Sequence, residues 1–205
     1  MKKCFIFAGG DYDGFFDKIE KNDYVIGVDR GYTYLNALKA NLIIGDFDSS
    51  VEPNYPDKIV LKPEKDVTDL YAALEIAIKK NYKNIIVYGG LGGRLSHTIA
   101  NIKILFEFKK KGINISLKSK NKLAFIINKD FKEEEYIDDF YVSVFALEDD
   151  IKDLSLKNLK YELNNYNLKS YQSLGVSNET LNKPFEIKFS NGMLLVIYER
   201  KSAFI

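Results

Sequence analysis

The stretch IIGDFDSS, residues 43–50, carries an apolar run straight into two aspartates one residue apart, with a glycine before them and serines behind. A buried strand gains nothing from ending in two like charges, so Asp46 and Asp48 mark a strand end that opens onto a polar edge. Side chains alternate along an extended chain. Both carboxylates are therefore expected to face the same way, with Cα atoms roughly 6–7 Å apart and Phe47 turned to the opposite side.

On either side of this stretch, the runs KCFIFAGG, YVIGVDRG, KIVLKP, NIIVYGG and INISLKS repeat the pattern of a short apolar strand closed by glycine or a charge. Helical periods lie between the later strands. Over residues 66–80, Val67, Leu70, Tyr71, Leu74, Ala77 and Ile78 form one apolar stripe, with Lys79 and Lys80 where cations suit the helix dipole. Over residues 96–111 the stripe runs through Ile99, Ile102, Leu105 and Phe106 and stops at Gly112. Strands joined by crossover helices imply an α/β fold: a doubly wound, mostly parallel sheet with helices on both faces.

Past residue 120 the helical period fades. KLAFIIN, FYVSVFALE and FEIKFSNGMLLVIYER read as β, the last with Asn191-Gly192 as a two-residue hairpin turn, which predicts a smaller all-β, sandwich-like domain. The expected domains are thus residues 1–120, α/β, and residues 121–205, all-β. The charged stretch DFKEEEYIDD, residues 130–139, reads as a solvated turn and edge.

The 205 residues carry 30 Lys and Arg against 29 Asp and Glu, a formal charge of +1. That balance removes the electrostatic case for a nucleic-acid or anionic-membrane partner, so any anion must be met locally. Cys4, the single cysteine, sits in an apolar run and allows no intrachain disulfide. Only a few apolar residues separate Met1-Lys2-Lys3 from Gly9-Gly10-Asp11, too few for a signal or membrane segment, and a cytoplasmic protein is expected.

In a parallel sheet, ligands collect at the carboxyl ends of the strands. Here those ends carry Gly9-Gly10-Asp11, Asp29-Arg30-Gly31, Gly45-Asp46-Phe47-Asp48, and Gly89-Gly90-Leu91-Gly92-Gly93-Arg94. An isolated D-x-D is equally a solvated turn. A second acidic cluster, KPEKDVTDL, brings Lys65, Asp66, Thr68 and Asp69 to the start of the first helix, with Asp66 as its expected N-cap and Asp69 as the matching N3 acid. Capping does not account for Asp29, Asp46, Asp48, Asp66 and Asp69 gathering along one edge, where each like pair costs about 1–3 kcal/mol at ~6 Å in a partly dry cleft. A divalent cation cancels that repulsion, and an all-oxygen donor set suits Mg²⁺ over Zn²⁺. Magnesium so held grips substrate phosphates, for which Arg30, Lys65, Arg94 and the helix start near Ser96 supply partners. GGLGGR fits neither a P-loop nor a dinucleotide fingerprint.

Read together and in order, GVDRG, GDFDS, KDVTDL and GGLGGRLSHTIANI resemble the thiamine pyrophosphokinase family, and GVSNE followed by FSNGMLLVIY is similar to that family's C-terminal signature. The resemblance implies transfer of a pyrophosphoryl group from ATP to thiamine, giving thiamine diphosphate and AMP, with Mg²⁺ required. It also implies a homodimer, with the vitamin bound where the β domain of one subunit meets its partner. By the same resemblance Asp46, Asp48 and Asp69 match metal-binding acids and Asp29 another acid of the catalytic site. Lys65, Thr68, Arg94, His97 and Asn101 fall near the nucleotide, joined by Gly10, Asp11 and Arg30 at the strand ends and by Asp66 at the helix start. Ser177 and Asn178 match the pair that lies against thiamine. The family commonly has aspartate where this chain has Ser96; either residue can N-cap a helix, but serine removes a charge. Competing readings are another D-x-D transferase, a phosphatase using Asp46 as nucleophile, and a non-catalytic nucleotide and thiamine sensor.

Overall fold

The computed structural model describes residues 2–35, 38–48, 50–62, 67–135 and 138–203. The chain divides into two compact units, Met1–Lys120 and Asn121–Ile205.

In the first unit every apolar run before residue 120 is a strand: β1 (Cys4–Phe7), β2 (Tyr24–Val28), β3 (Leu42–Gly45), β4 (Lys58–Val60), β5 (Asn84–Tyr88) and β6 (Asn114–Lys118). They pair in parallel in the order β6-β5-β1-β2-β3-β4. Strands β1, β2 and β3 are buried almost throughout, which is why they read as continuous rather than alternating apolar runs. Two α-helices complete the frame, α1 (Asp69–Lys79) against β2 and β3, and α2 (Leu95–Lys110) against β6.

No α-helix forms in the segment between β1 and β2, and a 3-10 helix, Asp29–Leu35, follows β2 directly. Aromatic packing replaces a crossover helix on that face. Phe5 and Phe7 of β1 meet Phe15 at ring centroid distances of 5.4 and 5.7 Å, and Phe7 stacks on Tyr88 at 5.6 Å. Tyr12 stacks on Tyr34 at 4.7 Å, so these aromatics serve packing.

Among its described residues the second unit is β apart from a short 3-10 turn at Lys201–Ala203: β7 (Lys122–Ile127), β8 (Phe131–Glu133), β9 (Phe140–Ala146), β10 (Ile151–Lys157), β11 (Leu163–Leu168), β12 (Asn178–Glu179), β13 (Phe185–Lys188) and β14 (Leu194–Arg200). Antiparallel pairing gives β12-β9-β14-β7 and a separate four-stranded sheet β11-β10-β13-β8. Val142, Val144, Leu194 and Val196 of one sheet share a buried core with Leu154, Leu156, Phe185 and Ile187 of the other. The expected hairpin at Asn191-Gly192 is not formed. β13 and β14 pair with different sheets, and the turn between them crosses the sandwich: the Asn191 side chain accepts from the Lys152 amide (2.7 Å) and donates to the Asp150 carbonyl (3.0 Å). The charged stretch at 130–139 supplies β8, an edge strand, as its composition suggested; Tyr136 and Ile137 lie outside the described residues.

Candidate functional site

Strand order reverses at β1, with β2 on one side and β5 on the other, and the crevice at such a switch point is where open α/β sheets bind ligands. A cavity of about 670 Å³ lies there, floored by Ala8, Gly9 and Gly10 after β1 and Gly89 after β5. Asp29 and Arg30 after β2 line it, as do Thr68 and Asp69 at the start of α1. Gly92, Gly93 and Arg94 line it from the glycine loop, and Ser96, His97 and Asn101 from the first turns of α2.

Three carboxylates meet at this crevice. Asp29, Asp46 and Asp69 each offer one oxygen such that all three lie within 4.8 Å of one another. Local backbone explains the convergence. Asp29 adopts φ +46°, a left-handed conformation that an aspartate tolerates better than most residues, as the chain leaves β2. Its Oδ1 accepts from the Phe47 amide at 3.2 Å, and a side chain at Gly45 would strike that same oxygen, so the glycine before Asp46 makes room for Asp29. Burial pushes the Asp29 carboxyl up to about 6, the nearby charge of Asp69 and a hydrogen bond shared with it add to the rise, Asp46 adds less, and the Phe47 amide opposes it. Crowded, half-buried acids of this kind are an oxygen-only donor set of the size and charge that Mg²⁺ accepts.

Asp48 stands outside that group among the described residues. The expected same-facing pair fails because β3 ends at Gly45 and Phe47 takes φ +55°, so strand alternation stops before Asp48. Asp48 is exposed, and its amide donates to Asp46 Oδ1 at 3.3 Å, closing a local turn.

The caps also differ from expectation. Thr68, not Asp66, caps α1, its hydroxyl accepting from the Tyr71 amide at 3.3 Å, which makes Asp69 the first helical residue. Lys65 and Asp66 lie outside the described residues. In α2 the cap position is Arg94, which makes no side-chain capping bond, so Ser96 is the second helical residue and caps nothing. Its helix start therefore presents open amides to the cavity.

The glycine loop is held from three sides. Asn101 Nδ2 donates to the Gly90 carbonyl (2.9 Å), Thr98 Oγ1 to the Gly92 carbonyl (3.3 Å), and the Gly93 amide to Asp11 Oδ2 (2.9 Å). Gly10 continues the β1–β5 pairing through its amide to the Gly89 carbonyl (3.0 Å), where any side chain would collide. Arg30 Nη2 and the Tyr34 hydroxyl fix the Gly9 and Gly10 carbonyls at 2.7 and 2.9 Å. Arg94 and His97 are exposed at the cavity mouth. Sequence reasoning placed Asp11, Asn101 and Arg30 at this edge but not their role in bracing the loop, and it missed Tyr34 and Thr98, which no spacing singles out.

In the second unit, Ser177 takes φ +54° and its amide donates to Ser143 Oγ at 2.9 Å. Asn178 is buried, its Oδ1 accepting from the Tyr161 amide (2.9 Å) and its Nδ2 donating to the Tyr161 carbonyl (2.7 Å). Asn178 thus clamps β12 to the 158–163 turn, and only the Ser177 side chain of the pair is not committed to such a clamp.

Residues 15–117 match the family described as Thiamin pyrophosphokinase, catalytic domain, and residues 126–194 match Thiamin pyrophosphokinase, vitamin B1 binding domain. The chain is 33% identical to the thiamine pyrophosphokinase of Bacillus subtilis (strain 168), over 96% of this chain and 98% of that protein. The crystal structure of a Bacillus subtilis thiamine pyrophosphokinase superposes with a TM-score of 0.86 at 28% identity, covering 98% of this chain and 99% of the other. That of a thiamin pyrophosphokinase family protein from Enterococcus faecalis gives 0.84 at 27% identity with the same coverage.

Proposed function

Because the chain belongs to the thiamine pyrophosphokinase family, we propose that it transfers the pyrophosphoryl group of ATP to the hydroxyl of thiamine, releasing AMP, with the β1–β5 crevice as the donor site. The observation that carries the placement is the meeting of Asp46 with Asp29 and Asp69, two acids that line a cavity also walled by glycines, Arg30, Arg94 and the start of α2.

In this reading Asp29, Asp46 and Asp69 would hold Mg²⁺, with Asp48 close by, and the ion, when bound, would supply charge neutralisation along the polyphosphate. The chain's own groups do the positioning. Glycine-loop amides and the first turn of α2 seat phosphate oxygens, Arg30 and Arg94 add positive charge, and His97 at the same mouth is placed to donate to the nucleotide. Thiamine's hydroxyl oxygen forms a bond to the β-phosphorus while the bond from that phosphorus to the α,β-bridging oxygen breaks, and AMP leaves with that oxygen. One carboxylate of the acidic group takes the hydroxyl proton. No covalent enzyme intermediate is needed.

Residues 1–120 are read as the nucleotide- and metal-binding catalytic domain, and residues 121–205 as the thiamine-binding and dimerisation domain. Supporting the second role, Tyr161, Tyr171, Leu174, Val176 and Leu181 around the Ser177-Asn178 turn are exposed, an apolar surface that a second copy of the chain and the vitamin would cover. Among the described residues no helix is long and apolar enough to cross a membrane. Cys4 is a buried thiol whose ionisation burial pushes far up, so it is inert and takes no part in the chemistry.

Incubation with ATP, Mg²⁺ and thiamine tests the reading. AMP and thiamine diphosphate forming in equal amounts is the expected outcome; free phosphate without AMP would instead indicate a phosphatase. Ser96 at the cavity wall favours one second reading, a sensor that binds both ligands without turnover. Binding without product in the wild type, and turnover gained by Ser96→Asp, would establish it.

A further inference from the structure

Asp11 has no evident business beside a polyphosphate: it is acidic, exposed, and not among the carboxylates that converge. Its bonding suggests a different task. Asp11 Oδ2 accepts from the Gly93 amide at 2.9 Å, and a side chain at Gly92 would run into that same oxygen. Gly92 and Gly93 take φ +84° and +67° in succession, a run of left-handed residues with little to hold it but contacts from outside.

The segment that carries Asp11 is itself tied down. Asp13 accepts through both oxygens from the Lys120 amide at 3.0 Å, and Asp17 accepts from Lys118 Nζ through both oxygens at 2.9 Å and from the Tyr88 hydroxyl. Asp17 and Lys118 are largely buried, at 15% and 28% side-chain exposure, so this is a fixed strut rather than a solvated ion pair. The acids of DYDGFFD thus do in sequence what a crossover helix would do elsewhere: they hold a coil against β5 and β6, and its leading carboxylate reaches across to the glycine loop.

We propose that Asp11 is a positioning residue for the donor nucleotide, acting by fixing the glycine loop through the Gly93 amide and not by touching ATP or the ion. This rests on the donor-site reading above. An acceptor is what the loop needs, and a charge is not; beside an anion the charge is a cost. Asparagine at position 11 keeps the acceptor, whereas alanine releases the Gly93 amide and the two glycines must be ordered when the nucleotide binds.

The test compares full-length wild type, Asp11→Asn and Asp11→Ala in steady-state kinetics, in calorimetry with a non-hydrolysable ATP analogue, and in thermal melts. Loss of one such bond predicts a KM for ATP raised about five- to tenfold in Asp11→Ala, with kcat and the KM for thiamine within about twofold. Asp11→Asn is expected to restore the KM to within about threefold of wild type. An Asp11→Asn as impaired as Asp11→Ala would overturn the proposal in favour of a direct charge role, and an unchanged KM in Asp11→Ala would overturn it outright. Should Asp11→Ala not fold, Asp11→Ser, whose shorter side chain falls short of the Gly93 amide, takes its place and is expected to raise the KM for ATP as Asp11→Ala would; a normal KM there counts against the proposal. Failure of wild type to bind the analogue overturns the donor site itself, whereas equal binding by wild type and Asp11→Ala overturns only the positioning role.

Discussion

The Asp29 carboxyl is where the chain's chemistry is most exposed to test. Its native form holds a proton up to about 6, whereas an unfolded aspartate releases it near 3.9, so between those values the folded chain binds more protons. Without divalent ions, this group's contribution therefore makes stability fall as pH rises from about 4 to about 6. On the proposed reading bound Mg²⁺ would remove the repulsion, so thermal melts should show Mg²⁺ raising the Tm more at pH 7.5 than at pH 5; equal shifts would speak against the acidic group as the ion's seat. Asp46→Asn should lower kcat by about 10²-fold or more while the fold persists, because the acid acts on developing charge. Asp48→Asn, outside the three-acid group, should cost less, as read by turnover at saturating Mg²⁺. At this scale the sequence disclosed which residues matter more readily than how they lie. GDFDS named the acids, but alternation assumed an extended chain, and the left-handed Phe47 breaks that assumption.

At the scale of elements, all six parallel strands were legible because each apolar run ends in glycine or a charge; burial on both faces keeps the run continuous in β1, β2 and β3, whereas β4 at the sheet edge is largely exposed. Helix starts were less legible. KDVTDL contains three groups able to cap, and Thr68 wins at one residue before Asp69, which leaves that acid on the first turn facing the cavity. Thr68→Ala should destabilise α1 by about 1 kcal/mol and Thr68→Ser should recover most of it, measured by denaturant midpoint with unchanged m-value. The β10 and β11 strands escaped notice because DLSLKNLKYELNNYNL mixes asparagine with apolar residues, and the hairpin reading of SNG failed because a two-residue turn signal does not say whether its strands share a sheet.

The whole molecule divides into an α/β unit and a β unit, each with its own buried core, and the hydrophobic period of the sequence changes near residue 120. The strand order was not legible: nothing in the sequence says that β5 returns beside β1, which is what creates the crevice. The exposed apolar residues at 161–181 should be covered by a second copy, so sedimentation is expected to give a dimer, and Leu174→Asp should shift it toward monomer with loss of thiamine affinity. A monomeric wild type at micromolar concentration would remove that assembly. The most direct measurement for the whole account is anomalous scattering from crystals soaked in Mn²⁺ with a non-hydrolysable ATP analogue. A peak within coordination distance of Asp29, Asp46 and Asp69, with the β-phosphate beside it in the β1–β5 crevice, is the result expected; millimolar Mn²⁺ that leaves those oxygens unbound, or a nucleotide seated elsewhere, would contradict it.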